Sequence, residues 1–201
     1  MVIMMELIQG IDSEMIMWIQ EHLRCDGATA FFRAVTSLGN AGFIWIVLSL
    51  LLLLVKKTRR AGICAAVSLI SVFIINNLVL KNIFGRIRPY EVVAGLIPLV
   101  DKPMDPSFPS GHTAAAFAAA AAAIFGGAPK KIAVPAAVFA VLIAFSRLYL
   151  GVHYPSDVFF GAVTGMVTAL LCSAAVKRAY RAAEQKDTEA SSDPRRGEKD
   201  K

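Results

Sequence analysis

The chain has 201 residues, 56% of them hydrophobic, with a formal net charge of +6 and a mean hydropathy of +0.59. That apolar share exceeds what a soluble globular domain carries and is gathered in uncharged runs, which indicates an integral membrane protein. The basic residues stand beside those runs and in the C-terminal tail, as topology determinants do, which excludes a basic face that reads nucleic acid.

Residues 1–33 are apolar but interrupted by Glu6, Asp12, Glu14, Glu21, Arg24 and Asp26. Ile11, Met15, Trp18, Ile19 and Leu23 recur at helical spacing, so one face is greasy and the other wet. This predicts an interfacial helix lying along the membrane with Trp18 at headgroup level, a soluble packing helix being the alternative. The N-terminus has no cationic region before its first apolar stretch, and a cleaved signal peptide is not expected. Cys25, Cys64 and Cys172 form neither a CxxC pair nor a disulfide framework.

Uncharged runs then predict five spans: about Ala34–Val55, Ala61–Leu80, Thr113–Ala128, Ile132–Ser146 and Val158–Val176. The Asn76–Asn77 pair inside the second is expected to hydrogen-bond to neighbouring helices. Between the second and third spans, Pro89, Pro98, Pro103, Pro106 and Pro109 break any helix. The third span reaches bilayer length only if its helix starts a turn earlier, near Ser110. From about Glu184 the tail is charged and Ser-rich, and disorder is expected. The expected fold is all-α: an integral membrane bundle of about five transmembrane helices plus the interfacial helix. Residues 1–33 form the interfacial segment, 34–176 the transmembrane domain, and 177–201 a charged tail disordered at its end.

Basic clusters follow the first span (Lys56, Lys57, Arg59, Arg60), the third (Lys130, Lys131) and the fifth (Lys177, Arg178, Arg181). Alternation puts all of them on one face, which the positive-inside rule makes cytoplasmic. The connections 81–112 and 147–157 then share the outer face. Lys81, Arg86, Arg88 and Arg147 resist the rule there, and a local anion such as phosphate would account for them.

These two connections carry the chemistry. Pro155 suits the first turn of a helix starting near Tyr154, which brings Asp157 back toward His153. A carboxylate on one ring nitrogen fixes the tautomer and frees the other nitrogen for attack. A helix-capping Asp beside an interfacial His is an equally weighted reading of that segment alone. In Pro109-Ser110-Gly111-His112, Ser110 is an N-cap, Gly111 permits close backbone approach, and His112 is placed as general acid. Taken alone, this string is ordinary turn chemistry. The residues by themselves do not choose firmly between the two histidines as nucleophile. Lys81, Arg88 and Arg147 supply the charge that phosphoryl transfer needs, Arg147 and Arg88 as planar forks. Arg86 reads as a headgroup anchor.

Lys81-x6-Arg88-Pro89, Pro109-Ser110-Gly111-His112 and Ser146-Arg147-x5-His153-x3-Asp157 resemble the three signature motifs of the type 2 phosphatidic acid phosphatase family, in order and without departure. The resemblance covers roughly residues 38–176. It implies a helical membrane phosphatase needing no metal or other cofactor. His153 would take the phosphoryl group, Asp157 orient it, and His112 protonate the leaving group. Lys81, Arg88, Ser110, Gly111 and Arg147 would hold the phosphate. Larger members carry six spans, which leaves the N-terminal arrangement open.

The expected protein is therefore a multi-pass cell-membrane enzyme with an extracytoplasmic site and a cytoplasmic tail, its partners being the bilayer and a lipid phosphate. Polyprenyl diphosphates, phosphatidylglycerol phosphate and phosphatidic acid are the candidate substrates, the first preferred. A phosphotransferase using the same pocket, or a transporter or lipid-binding protein without chemistry, are the competing readings. Related haloperoxidases are soluble, which the spans argue against. A metal hydrolase lacks ligand-like spacing.

Overall fold

The computed structural model describes residues 2–192, and every regular element in that range is helical. α1 (Val2–Leu23) is followed, after a break at Arg24–Cys25, by α2 (Asp26–Leu38). The division expected at 33/34 thus falls inside α2. On α1, Ile11, Met15, Trp18 and Leu23 are exposed while Ile16 and Ile19 are buried. Four of the five residues of the greasy stripe read from the sequence face away from the protein, whereas Ile19 is turned inward with Ile16. Asp12, expected on the wet side, is buried among polar partners.

The first expected span is bent. α2 and α3 (Phe43–Leu54) meet at 47°, with a 3-10 turn over Asn40–Gly42 in which Ala41 has φ 50°. α4 (Arg59–Phe73) runs into a π-helical segment, Ile74–Leu80, and the short α5 (Lys81–Phe84). Gly85, at φ 53°, closes α5 in the left-handed region that suits glycine. α6 (Pro89–Val92) is a single turn begun by proline. α7 (Gly111–Gly126), α8 (Lys130–Tyr149) and α9 (Pro155–Ser192) complete the chain.

By length and composition, three helical stretches can cross a membrane, or four if the bent α2–α3 pair is one span. By that measure the expected fifth span is not established: α7 is apolar but has only 16 residues, about 24 Å of helix against a hydrocarbon core of about 30 Å. Its alanines serve packing. α7 is the central post, packed by α9, α4 and α8, with Ala116, Ala118, Ala119, Ala122 and Ala123 fully buried. Small side chains let neighbouring backbones approach, which is how helices associate where lipid removes the hydrophobic drive. Large apolar residues point outward instead: Leu50, Leu51 and Leu54 on α3, Ile70 and Phe73 on α4, Leu170 and Leu171 on α9. In water such a belt would be an aggregation surface.

α9 carries helix through residues 184–192, where composition pointed to disorder. Ala182, Ala183, Glu184, Gln185 and Lys186 are strong helix formers, so a helix already nucleated in the membrane propagates through them. The end of the expected disordered tail, 193–201, lies outside the described residues.

Candidate active site

Four helix ends converge at one end of the bundle: the C-termini of α5 and α8 and the N-termini of α7 and α9. Near the opposite end, Arg60 donates to the carbonyl of Gly126 at 3.2 Å, joining the first basic cluster to the last turn of α7. Arg60 and the site residues thereby stand at opposite ends of α7.

Lys81, Arg88, Gly111, His112, Arg147 and His153 line one cavity of about 490 Å³. Ser110 and Asp157, both fully buried, stand behind it. Ser110 caps α7 as expected, its hydroxyl accepting from the Thr113 amide. Its own amide donates to the Asp157 carbonyl at 3.0 Å, which ties the starts of α7 and α9 together.

His153 is 2% exposed. Its Nδ1 lies 3.5 Å from Asp157 Oδ2 and 3.4 Å from the Ser107 hydroxyl. Its Nε2 lies 3.3 Å from Arg88 Nη1. With the ring proton on Nδ1, facing the carboxylate, the Nε2 lone pair faces the cationic cavity. Burial is the largest influence on the ring and outweighs Asp157, holding its pKa down at about 4. The imidazole is therefore neutral at ordinary pH.

Asp157 Oδ2 also accepts from the Tyr154 amide at 2.9 Å and from the Ser107 hydroxyl, while Oδ1 accepts from Arg86 Nη1 at 2.7 Å. Arg86, read as a headgroup anchor, is instead bound inside the protein. The anchor reading failed because sequence cannot show that α1 supplies acceptors. Arg88 is held by the Val152 carbonyl (2.8 Å) and by Asp105, through its backbone oxygen (2.8 Å) and its carboxylate (2.9 Å). The same carboxylate pairs with Lys81. Desolvation resists ionisation of Asp105, but Lys81 and Arg88 prevail and hold its pKa down at about 2. Asp105 thus occupies an anion position between two cations of the cavity.

Arg147 is 3% exposed, donates to the Thr36 hydroxyl at 2.6 Å, and has no partner for its buried Nε. His112 Nε2 faces Asn40 Oδ1 at 3.0 Å. Since that oxygen only accepts, the contact places a proton on Nε2. Asn76 and Asn77 both line the cavity. Contrary to expectation, neither amide atom of Asn76 finds a hydrogen-bond partner, because the π-helical segment turns it into the cavity wall. Asp105, Ser107, Asn40 and Thr36 were not singled out as site residues from the sequence. Only Asp105 and Ser107 had a local signal, standing just before the PSGH string. Among the described residues no cluster of three or more His, Cys, Asp or Glu is placed to hold a metal ion.

A family profile described as the PAP2 superfamily matches residues 61–181, more than half of the chain. The chain belongs to the PAP2 superfamily. Its apolar helices and the membrane proteins it resembles make it a multi-pass membrane protein. It is similar to the undecaprenyl-diphosphatase of Sulfolobus acidocaldarius, 35% identical over 61% of this chain and 59% of that one. That relative is thus matched over less than two thirds of its own length. It is also similar to undecaprenyl-diphosphatase BcrC of Bacillus subtilis, 30% identical over 68% of this chain and 69% of the relative. Among solved structures it resembles the transmembrane PAP2-type phosphatidylglycerolphosphate phosphatase of Bacillus subtilis. The TM-score is 0.71 at 26% identity, covering 86% of this chain and 87% of that one. All three motifs of this PAP2 superfamily chain meet at the cavity, where the helix ends converge.

Proposed function

We propose that this protein is a membrane lipid phosphatase that removes a phosphoryl group from a lipid phosphate or diphosphate through a phosphohistidine on His153. The observation that carries this is a buried, neutral histidine with a carboxylate behind Nδ1 and its Nε2 facing cations. Nε2 attacks phosphorus as the bond to the leaving oxygen breaks, and His112, as the imidazolium that the bound phosphate's negative charge favours, gives that oxygen its proton. Water then attacks phosphorus while His112 takes the water's proton, the phosphorus–nitrogen bond breaks with its electron pair returning to His153 Nε2, and inorganic phosphate leaves. Lys81, Arg88 and Arg147 stabilise the charge on the equatorial oxygens, and the unpartnered Arg147 Nε is one donor available for this. Gly111 and the amides beginning α7, capped by Ser110, face the same anion.

The cavity supports a lipid as the substrate. Its wall runs from the cations to Ile46, Leu69, Ile70 and Phe73, so a phosphate can sit among charges while its chain stays in hydrocarbon. A polyprenyl diphosphate is the preferred substrate, in keeping with the two undecaprenyl-diphosphatases this chain resembles. The positive-inside rule supports a site on the extracytoplasmic face and a cytoplasmic tail.

The test is phosphate release by detergent-purified protein, with EDTA present, from a polyprenyl diphosphate, phosphatidylglycerol phosphate and phosphatidic acid. Wild type releases phosphate with the diphosphate showing the highest kcat/KM, and His153→Ala is silent. Release by His153→Ala at the wild-type rate would overturn the nucleophile assignment.

A further inference from the structure

The polar face of α1 is turned toward the reaction centre. Asp12, 3% exposed, accepts the Ser156 amide on Oδ1 at 2.9 Å. Its Oδ2 accepts from the Ser156 hydroxyl and from Arg86 Nη2 at 2.7 Å. Gln9, almost one turn earlier on α1, accepts from the same guanidinium nitrogen at 2.6 Å. The other arm, Nη1, reaches the Ser156 hydroxyl and Asp157 Oδ1, both at 2.7 Å. One planar fork therefore joins two buried carboxylates from opposite ends of the sequence.

Each carboxylate alone would be costly in this interior, and the guanidinium between them is what makes both tolerable. The geometry does more than neutralise charge. With Oδ1 clamped by Arg86, the Asp157 carboxylate cannot rotate, and Oδ2 stays aimed at His153 Nδ1. Asp12 meanwhile satisfies an amide in the first turn of α9, the turn that carries Asp157. We propose that Arg86 and Asp12 are positioning residues for the His153–Asp157 pair, so that α1 forms the outer layer of the reaction centre. The proposal rests on the reading of His153 as the nucleophile.

The two residues also act on the His153 proton with opposite sign. The ring is faced by Asp157 from α9, Arg147 from α8, His112 from α7 and Arg88, with Lys81 and Asp105 lining the same cavity. Arg86 and Asp12 add one charge each beyond Asp157. Removing the Arg86 cation favours the imidazolium, while removing the Asp12 anion disfavours it. A residue that merely helps the protein fold would not produce opposed shifts.

The experiment compares wild type, Arg86→Gln, Arg86→Lys and Asp12→Asn, each confirmed as folded by size exclusion and thermal melting. Two readings are taken: kcat and KM for phosphate release across pH, and the His153 ring titration by NMR. Arg86→Gln is expected to lower kcat roughly 10–100-fold, the range for outer partners of a reacting group, with KM little changed. Its acid limb and the ring titration move up by about one pH unit, and those of Asp12→Asn move down. Arg86→Lys keeps the wild-type limb but recovers only part of kcat, because an ammonium cannot bridge both carboxylates. If Arg86→Gln does not fold, Asp12→Asn and Arg86→Lys decide the matter by the same readings. Unshifted titrations with unchanged kcat, or shifts in one direction for both sites, would overturn the proposal. A wild type that turns over no phosphorylated lipid would sink the phosphatase reading instead, while the ring titrations would still decide the network.

Discussion

Asp105 shows how a single residue can compete with a substrate. Its carboxylate holds Lys81 and Arg88, the cations proposed to receive phosphate, and those two keep it ionised far below ordinary pH. Phosphate must share or displace it. Asp105→Asn should therefore tighten competitive inhibition by inorganic phosphate roughly severalfold at low salt, through loss of one buried like charge. A higher inhibition constant would show that Asp105 instead holds the cations in place. His153 makes a second prediction at this scale. With its pKa held down at about 4 by burial, the lone pair is available above that pH and is lost as pH falls through it. The acid limb of kcat/KM should lie near 4, well below the limb near 6.5 of an unperturbed histidine. A pH profile with its half-point at 6.5 would contradict this environment. The residues that carry these effects were partly legible. Lys81, Arg88, His153 and Asp157 stand at motif spacing. Asp105 has no motif, and its role comes only from where the loop returns.

At the scale of elements, the approach of α9 to α7 sets the distance between the two histidine-bearing segments. Gly161 and Gly165 lie on the α9 face that meets α7. A Cβ on Gly165 would come within 2.5 Å of the Ala114 carbonyl oxygen, and one on Gly161 within 2.7 Å of the Ser110 carbonyl oxygen. These glycines, four residues apart, permit a close crossing of the kind small residues make in membranes. Gly165→Ala should force the helices apart, cost about 1–3 kcal/mol as overpacking does, and lower both melting temperature and kcat. An unchanged melting temperature would show that α9 can shift without strain. The bend between α2 and α3 has a comparable effect, since it delivers Asn40 to His112. Asn40→Ala is expected to reduce kcat more than it raises KM, because it frees the proposed acid without touching the phosphate cations. Equal binding and turnover losses would place Asn40 on the substrate instead. Composition could find a greasy run from Ala34 to Val55, but hydropathy averages over a bend.

For the whole molecule, the distribution of charge and length suggests an orientation. α9 has 38 residues and is about 57 Å long, so it outruns a bilayer core of about 30 Å. Its basic residues Lys177, Arg178 and Arg181 follow about 22 residues after Pro155, where a span would leave the membrane. A cysteine introduced at Gln185 in a chain with its native cysteines replaced should resist impermeant maleimide in intact cells and react after permeabilisation. One introduced at Lys102 should react in intact cells. The reverse pattern would invert the proposed topology. α1 would lie against the same outer surface, its apolar stripe toward lipid and its polar face toward Arg86 and Ser156.

Sequence alone determined the membrane class, the helical fold and the three motifs, because hydropathy and short-range spacing are local properties. It also placed the starts of α7 and α9, since Ser110 and Pro155 are local stop-and-start chemistry. Tertiary structure decided what depends on return paths of the chain. The bend within the first expected span, the short buried role of α7 and the unpartnered Asn76 follow from packing, which no window of residues contains. The clearest case is Arg86: in sequence it is one of three cations between Lys81 and Pro89. Only folding brings Asp12 and Asp157, 145 positions apart in the chain, to the two arms of its guanidinium, where low dielectric makes that pairing decisive.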